Sequence, residues 1–470
     1  MDEKQNRRRF LAAMGAGTFA LAGCTDAVGD LTGGNGEGDD GNGNGGGEED
    51  DGQPEGNGDE SQATPPAIDQ GEVVSDFDED LEEWFATSGE LSADEENALT
   101  GSRTARIDGE GAAAGIGRAF PDGLDMEGQH LSLALRVDNP RPARVTVRIF
   151  APGQADQLWS TRTVLTPYEG WLRMDVGYTG QRGEPFLDDV QEIQITLDDP
   201  NAEDGDAEED EAADAAEEEA GGEDDEEDDA NGENGITFFV DDFRMTPQAS
   251  QGYVMLTFDD NVASQYENAF PMFEERDMRG VLNVIPPSLN RPERLSIDQL
   301  REMRDAGWDV SAHAERSDGL AEMDPEEARE ALESDHEYLV NRGFPDGARF
   351  HTVPYHSANQ EVIDIARDYY EMNSYFGGTP NAVPMTDPMH LSRVDMHDIG
   401  GFTSMIDMAA EHNQLAIGLA HGVVPEDEIG EDPLADMTTE QLEELLDYIE
   451  ESDVQLVTAS DLLDTDPSEL

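Results

Sequence analysis

From about residue 72 to residue 247, apolar and polar side chains alternate in short runs: SLALRVD (132–138), RVTVRIF (144–150), WLRMDV (171–176), EIQITL (192–197) and ITFFVDDFRM (236–245). A period of two is that of a strand with one face buried, and the Gly, Pro and Asp residues between the runs favour turns. Helical periodicity is weak, so residues 71–248 are expected to form an antiparallel β-sandwich of the jelly-roll kind. A short linker, Pro247 to Gly252, follows, and then the pattern changes. YVMLTFDD (253–260) precedes the amphipathic QYENAFPMFEERD, and RGVLNVIP precedes SIDQLREMRDAG. WDVSAH then precedes MDPEEAREALESDHEYLVNRG, ARFHTVPY precedes NQEVIDIARDYY, and further strand and helix patterns run on to VQLVTAS. Apolar strands followed by amphipathic helices imply parallel strands with helical crossovers. The number of such units in 252–470 favours a barrel over an open sheet, and in barrels the chemistry gathers at the C-terminal ends of the strands.

Two stretches have no such pattern. Residues 25–70 are Gly, Asp, Glu and Asn with almost no large apolar side chain, and 198–235 repeat that composition between the last two sandwich strands. Neither can bury enough surface to offset its ordering entropy, so both are expected to be disordered acidic linkers. The whole chain of 470 residues carries 110 acidic against 27 basic residues, a net charge of −83. Self-repulsion on that scale strains a compact fold in ordinary buffer and is screened at molar salt, where the Debye length is about 3 Å. The composition therefore points to a halophilic setting. It excludes nucleic acid as a partner, since no basic patch is available to neutralise phosphates.

The single cysteine, Cys24, rules out an intrachain disulfide. It ends the segment NRRRFLAAMGAGTFALAGC, in which three arginines precede an apolar run too short to span a bilayer. Residues 1–24 resemble a twin-arginine export signal, and Leu21-Ala22-Gly23-Cys24 resembles a lipobox. That resemblance implies export of the folded protein, lipidation at Cys24, and tethering at the outer face of the cytoplasmic membrane.

The polar residues at the predicted ends of the barrel strands are Asp259 and Asp260, His313, His351, Tyr355 and His356, Asp395 and His397, and His421. Carboxylates and imidazoles suit a divalent metal such as zinc, with open positions left for water and substrate. These residues resemble the polysaccharide deacetylase family (NodB-like, carbohydrate esterase family 4). The resemblance implies a distorted (β/α)7 barrel that removes N-acetyl groups from amino-sugar polymers. LTFDD matches the family's first motif, making Asp259 the catalytic base and Asp260 a metal ligand. LAIGLAH matches the late strand whose histidine is the general acid, here His421. FHTVPYHSAN matches the third motif, where the backbone N–H of Tyr355 would help hold the oxyanion and Asn359 lies beyond.

The departures from the family are specific. In the second motif His313 is kept as a ligand, but Ala314 replaces a hydroxyl residue and Ser317 stands where a second histidine is usual. Thr352 stands where the third motif has an arginine, His356 replaces a glycine, and Met396 follows Asp395 where an aromatic residue is common. Ser317, Asp318 or His356 (or His351) are therefore the candidates to complete a site around Asp260 and His313, and the remaining alternative is a site that binds metal poorly. In the sandwich, Asp241 and Asp242 are candidates for a structural calcium or, equally, for a strand-end turn; Trp84, Tyr168 and Trp171 are candidates for stacking on sugar, with core packing the favoured reading of each. The expected function is metal-dependent removal of N-acyl groups from a polysaccharide. The alternatives are a lipid-anchored glycan-binding protein with impaired catalysis and a carbon–nitrogen hydrolase of a small amide.

Overall fold

A computed structural model describes residues 70–465 apart from 110, 139–140, 165–166, 201–234 and 431–433. The export signal with Cys24, and nearly all of the spacer (25–70) and the acidic insert (198–235), lie outside the described residues. The described residues fall in one compact unit.

The alternating runs form two six-stranded antiparallel sheets. Strand Ala143–Gly153 illustrates the logic. Ala143, Val145, Val147 and Ile149 are buried while Arg144, Thr146 and Arg148 face outward, the period-two division that places one face of each strand in the core. The first sheet runs in the order Glu90–Asp94, Thr104–Asp108, Thr237–Pro247, Gln129–Asp138 and Trp171–Asp175, with Glu72–Ser75 also paired to Thr237–Pro247. The second runs Gly180–Arg182, Asp156–Val164, Ala143–Gly153, Val190–Asp198, Ala113–Leu124 and Trp84–Ser88. Inward residues of both sheets share one apolar cluster. Asp241 and Asp242, the calcium candidates, are already engaged by protein groups. Asp241 accepts from the Leu99 and Thr100 backbone and the Thr100 hydroxyl, and Asp242 pairs with Arg173 and Arg244. Trp84, Tyr168 and Trp171 are buried in packing contacts rather than offered to a sugar.

Eight parallel strands make up the second sheet system: β1 (Gly252–Asp259), β2 (Val281–Val284), β3 (Asp309–Ala312), β4 (Phe350–Thr352), β5 (Met372–Phe376), β6 (Leu391–Asp395), β7 (Leu415–Ala420) and β8 (Val454–Leu456). Their order is β2-β3-β4-β5-β6-β7-β1-β8, and a further β1–β2 pairing closes seven of them into a ring. β8 only extends the start of β1, between Gly252 and Val254. All eight residues of β1 are buried, which is why its sequence is a continuous apolar run rather than an alternating one. Outside it, Trp308 packs against Phe258, Phe270 and Phe273 with ring centroids 4.7–6.0 Å apart. Burying each such side chain contributes about 1.5–3 kcal/mol. The long helix Pro325–Arg342 begins at Asp324, whose carboxylate caps Glu326 N–H, and stops at Gly343 with φ +93°, a conformation that suits glycine.

The segment Pro247–Gly252 packs onto the barrel instead of acting as a loose linker: Ala249 N–H donates to Val383 C=O and Gln248 Nε2 to His412 C=O. The seam it belongs to is polar and buried. Thr386 donates to Asp175 through its hydroxyl, 2.5 Å, and its N–H, 3.2 Å; Arg162 donates to His390 C=O; Tyr178 N–H donates to Gln414 Oε1. Burial pushes His130 and His390 down to about 4, whereas in the unfolded chain imidazole protonates near 6.5. Between those values the unfolded state binds more protons, so this contribution to stability is lost as pH falls from about 6.5 towards 4. Burial pushes Asp175 up to about 6, and its contribution runs the other way, being lost as pH rises through 6. At fixed molar KCl, the fall in melting temperature between pH 7 and 4.5 should be smaller in His130→Gln than in the parent. An identical fall in both would remove His130 from this account.

Candidate active site

Asp259 ends β1 with its side chain buried. Arg393, reaching in from the middle of β6 and 1% exposed, grips it with two hydrogen bonds of 2.8 and 2.9 Å, and Asn283 of β2 donates a third at 2.6 Å. Burial alone would raise this carboxyl; the Arg393 guanidinium, with His313 and His421 further off, holds it well below the usual carboxylate range. Asp259 is thus ionised and fixed in orientation. Thr352 stands on β4, and this guanidinium reaches in from a strand two places round the barrel from it.

The chain turns sharply after β1, with Asp260 at φ +71° and Asn261 at φ +44°. Asn261 Oδ1 accepts from Ile285 N–H, which fixes the turn. Asp260 is thereby presented to His313, Oδ1 to Nε2 3.6 Å. The other nitrogen of His313 lies 2.9 Å from Thr352 C=O. A carbonyl only accepts, so Nδ1 donates its N–H there, and Nε2 is the nitrogen turned towards Asp260. Glu315 completes the group: one ligand atom from each of Asp260, His313 and Glu315 lies within 4.8 Å of the others, the one such trio of metal-suited side chains among the described residues. Burial raises the Glu315 carboxyl, and the Asp260 carboxylate raises it further. Two crowded carboxylates and an anchored imidazole make a donor set that fits a divalent cation.

The loop after β3 explains why Glu315 takes this place. Arg316 turns outward to pair with the buried Asp335, 2.8 Å, which leaves its neighbour facing the barrel mouth. Ser317 and Asp318 are exposed, with the serine hydroxyl donating to Asp318 at 3.2 Å; they stand outside the trio. His351 is a core residue, its Nδ1 2.7 Å from Asn373 Oδ1 and its ring on Tyr370. Half-buried His356 also stands outside the trio, and burial pushes it down to about 4. Its φ is +56°, in the left-handed region that favours glycine. Met396 is buried against Gly418, and the His397 side chain is exposed while its carbonyl accepts from Gln441.

His421, just after β7, is held by Asp436, which accepts both its N–H, 2.9 Å, and its Nδ1–H, 2.6 Å. Burial alone would lower the imidazole; Asp436, with Asp259 and Asp260 further off, pushes it up to about 9. Tyr355 has φ +54° and is half-exposed, its hydroxyl donating to Arg316 C=O. The loop that carries it ends at Asn359, which caps the helix Gln360–Ala366. That helix start is clasped by the sandwich: Gln360 N–H donates to Glu169 C=O and Gln360 Oε1 accepts from Trp171 N–H. Between them Gly170 has φ +101°, and a Cβ there would come within 2.5 Å of the Gln360 Cβ.

A closed parallel barrel thus carries an aspartate pair, a histidine and a carboxylate-held histidine at its mouth. Residues 246–370 match the family model described as polysaccharide deacetylase, so this part of the C-terminal region is similar to a polysaccharide deacetylase domain. The chain is 23% identical over 117 residues, 25% of its length, to the putative polysaccharide deacetylase YxkH of Bacillus subtilis, and spans 42% of that curated relative. Among solved structures it is similar to the esterase domain of a multidomain xylanase from the hindgut metagenome of Trinervitermes trinervoides (14% identity, 46% of this chain, 91% of that one, TM-score 0.34). It is also similar to the chitin deacetylase of Colletotrichum lindemuthianum (17% identity, 47% of this chain, 92% of that one, TM-score 0.32).

Removing one partner of a buried ion pair typically costs about 3–5 kcal/mol, because the other charge is stranded. Arg393→Gln should destabilise the fold by that order in urea unfolding at molar KCl. Adding Asp259→Asn should restore most of the loss. Equal costs with and without the second change would contradict a direct pairing.

Proposed function

We propose that the protein is a metal-dependent hydrolase that removes N-acetyl, or other N-acyl, groups from a cell-surface or extracellular polysaccharide. The observation that carries this reading is the contrast at the barrel mouth: a carboxylate paired with Arg393 and an imidazole paired with Asp436 lie within electrostatic reach of each other and of Asp260 or His313. Two groups with protonation states driven apart are what a paired base and acid require. Asp260, His313 and Glu315 would hold the cation, zinc being well suited to carboxylate and imidazole donors. When bound, such an ion supplies Lewis acidity, polarising an acyl oxygen and lowering the pKa of water.

The protein's own groups do the rest. Asp259, oriented by Arg393 and Asn283, accepts the proton of an attacking water. The backbone N–H of Tyr355 donates to the acyl oxygen as negative charge develops there. His421 then protonates the departing amine nitrogen through Nε2, its Nδ1 remaining on Asp436. No covalent acyl intermediate is required. The N-terminal signal and Cys24 support export and lipid anchoring of this activity at the outer face of the cytoplasmic membrane, where its polymer substrate would lie.

The test is acetate release from N-acetylated amino-sugar oligomers by the purified chain at molar KCl. Chelation should abolish release and zinc restore it, and Asp259→Asn should lower the rate at least about 100-fold. A zinc-loaded parent that binds oligomers but releases nothing would favour the glycan-binding alternative. Because His421 acts protonated, the rate should fall as pH rises through about 9, and Asp436→Asn should move that limb down towards the ordinary imidazole range. An unmoved limb would assign the acid role to another group.

A further inference from the structure

The two sheets of the sandwich turn their outer faces to different surroundings. On the first, Phe239 and Trp171 are buried with Leu99 packed against them, and the Arg106 and Arg136 guanidinium groups lie 5.5 and 5.7 Å from the Phe239 ring centre. On the second, the strand register lines up one straight row across six strands: Phe85, Gly117, Gln194, Arg148, Trp159 and Gly180. The two glycines let the two rings lie down. A Cβ at Gly117 would come within 2.8 Å of Phe85 Cζ, and one at Gly180 within 2.7 Å of Trp159 Cζ2. Each ring therefore rests on the next strand, and Phe85 is 43% exposed. The strands beneath the rings are four places apart in the sheet, about 19 Å at the usual strand spacing. A parallel row of Thr196, Thr146 and Thr161 runs alongside, ending at Gly115 with Thr87 over it.

The charge on this face departs from the rest of the chain. Outward-facing Arg144, Arg148 and Arg182 stand against Glu192 and Asp198, in a protein with 110 acids and 27 bases. Arg144 pairs with Asp198, and Glu192 accepts from Gln194. Arg148 and Arg182 are exposed and lack a carboxylate partner among the described residues.

We propose that this face binds an acidic polysaccharide, a sugar polymer bearing carboxylate groups. The flat C–H faces of sugar rings fit the two laid-down aromatics, several sugar units apart. The threonine row offers hydroxyls to hydroxyls. A planar guanidinium takes a carboxylate through two parallel hydrogen bonds, and Arg148 stands in the same row as both rings. A nucleic acid would meet the repulsion of the remaining acidic surface. The face is a narrow lane with few apolar groups, unlike the anchored core of a protein interface. The assignment is independent of the chemistry at the barrel mouth.

Affinity electrophoresis and calorimetry of the full chain at molar KCl, with alginate as the acidic polymer and dextran as the neutral one, test it. The parent should bind alginate and not dextran. Trp159→Ala, Phe85→Ala and Arg148→Gln should each weaken binding by about tenfold, the usual cost of losing an anchoring aromatic or arginine, with unchanged melting temperatures. Asp259→Asn should bind as the parent does, so failure of the hydrolase reading leaves this one standing. If Trp159→Ala does not fold, Arg148→Gln with Arg182→Gln carries the test. No binding to alginate, equal binding to dextran, or folded variants that bind like the parent would each overturn the proposal.

Discussion

The buried pairing of Asp259 with Arg393 is the constraint on which the barrel mouth depends. A carboxylate without water is costly unless an opposite charge and hydrogen bonds replace its hydration. Arg393 supplies both, and Asn283 adds a third donor. Arg393 and Asp259 lie on β6 and β1, the two strands that flank β7, and Asn283 lies on β2, so the full set of donors is assembled only when the β1–β2 pairing closes the ring. The direct pairing of β3 with β4 lets Thr352 C=O hold His313 with Nε2 turned to Asp260.

A second set of constraints comes from outside the barrel. The Gln360 clasp fixes the helix that directly follows the Tyr355–His356 loop, with Gly170 supplying the close approach that no Cβ allows. Both loop residues sit at positive φ, a strain of about 1–3 kcal/mol each that persists only where surrounding contacts enforce it. The sandwich edge is one of those contacts. The seam is polar rather than greasy, with Asp175, Arg162 and Gln414 each committed to a named partner across it. Such a seam holds one orientation, since any slip would leave buried polar groups unpaired.

Much of the fold was legible because it rests on local pattern. The unbroken apolar run of β1 and the period-two runs at 144–150 and 192–197 record burial on two faces and on one. Asp259, Asp260, His313 and His421 were legible because each directly follows or ends such a strand. Glu315 was not read: it sits two after His313 and two before Ser317, and which side of that loop faces inward depends on Arg316 finding Asp335, a contact between a loop and a helix. Core packing, the favoured reading for Trp84, Tyr168 and Trp171, is what the structure has. Periodicity says that a ring is on a face, not how far that face is covered, and Trp159 is only half-buried.

By itself, then, the sequence determined where strands and helices begin, that the barrel strands are parallel, and which charged residues stand at their ends, because these follow from hydrophobic period and turn chemistry along a few neighbouring residues. The tertiary structure alone decided which of those charges meet. Arg393 lies 134 residues from the aspartate it neutralises, and Asp436 reaches His421 from the far side of a connecting segment. Such pairings are set by barrel closure and strand register, which depend on distances between elements, and no local pattern records those.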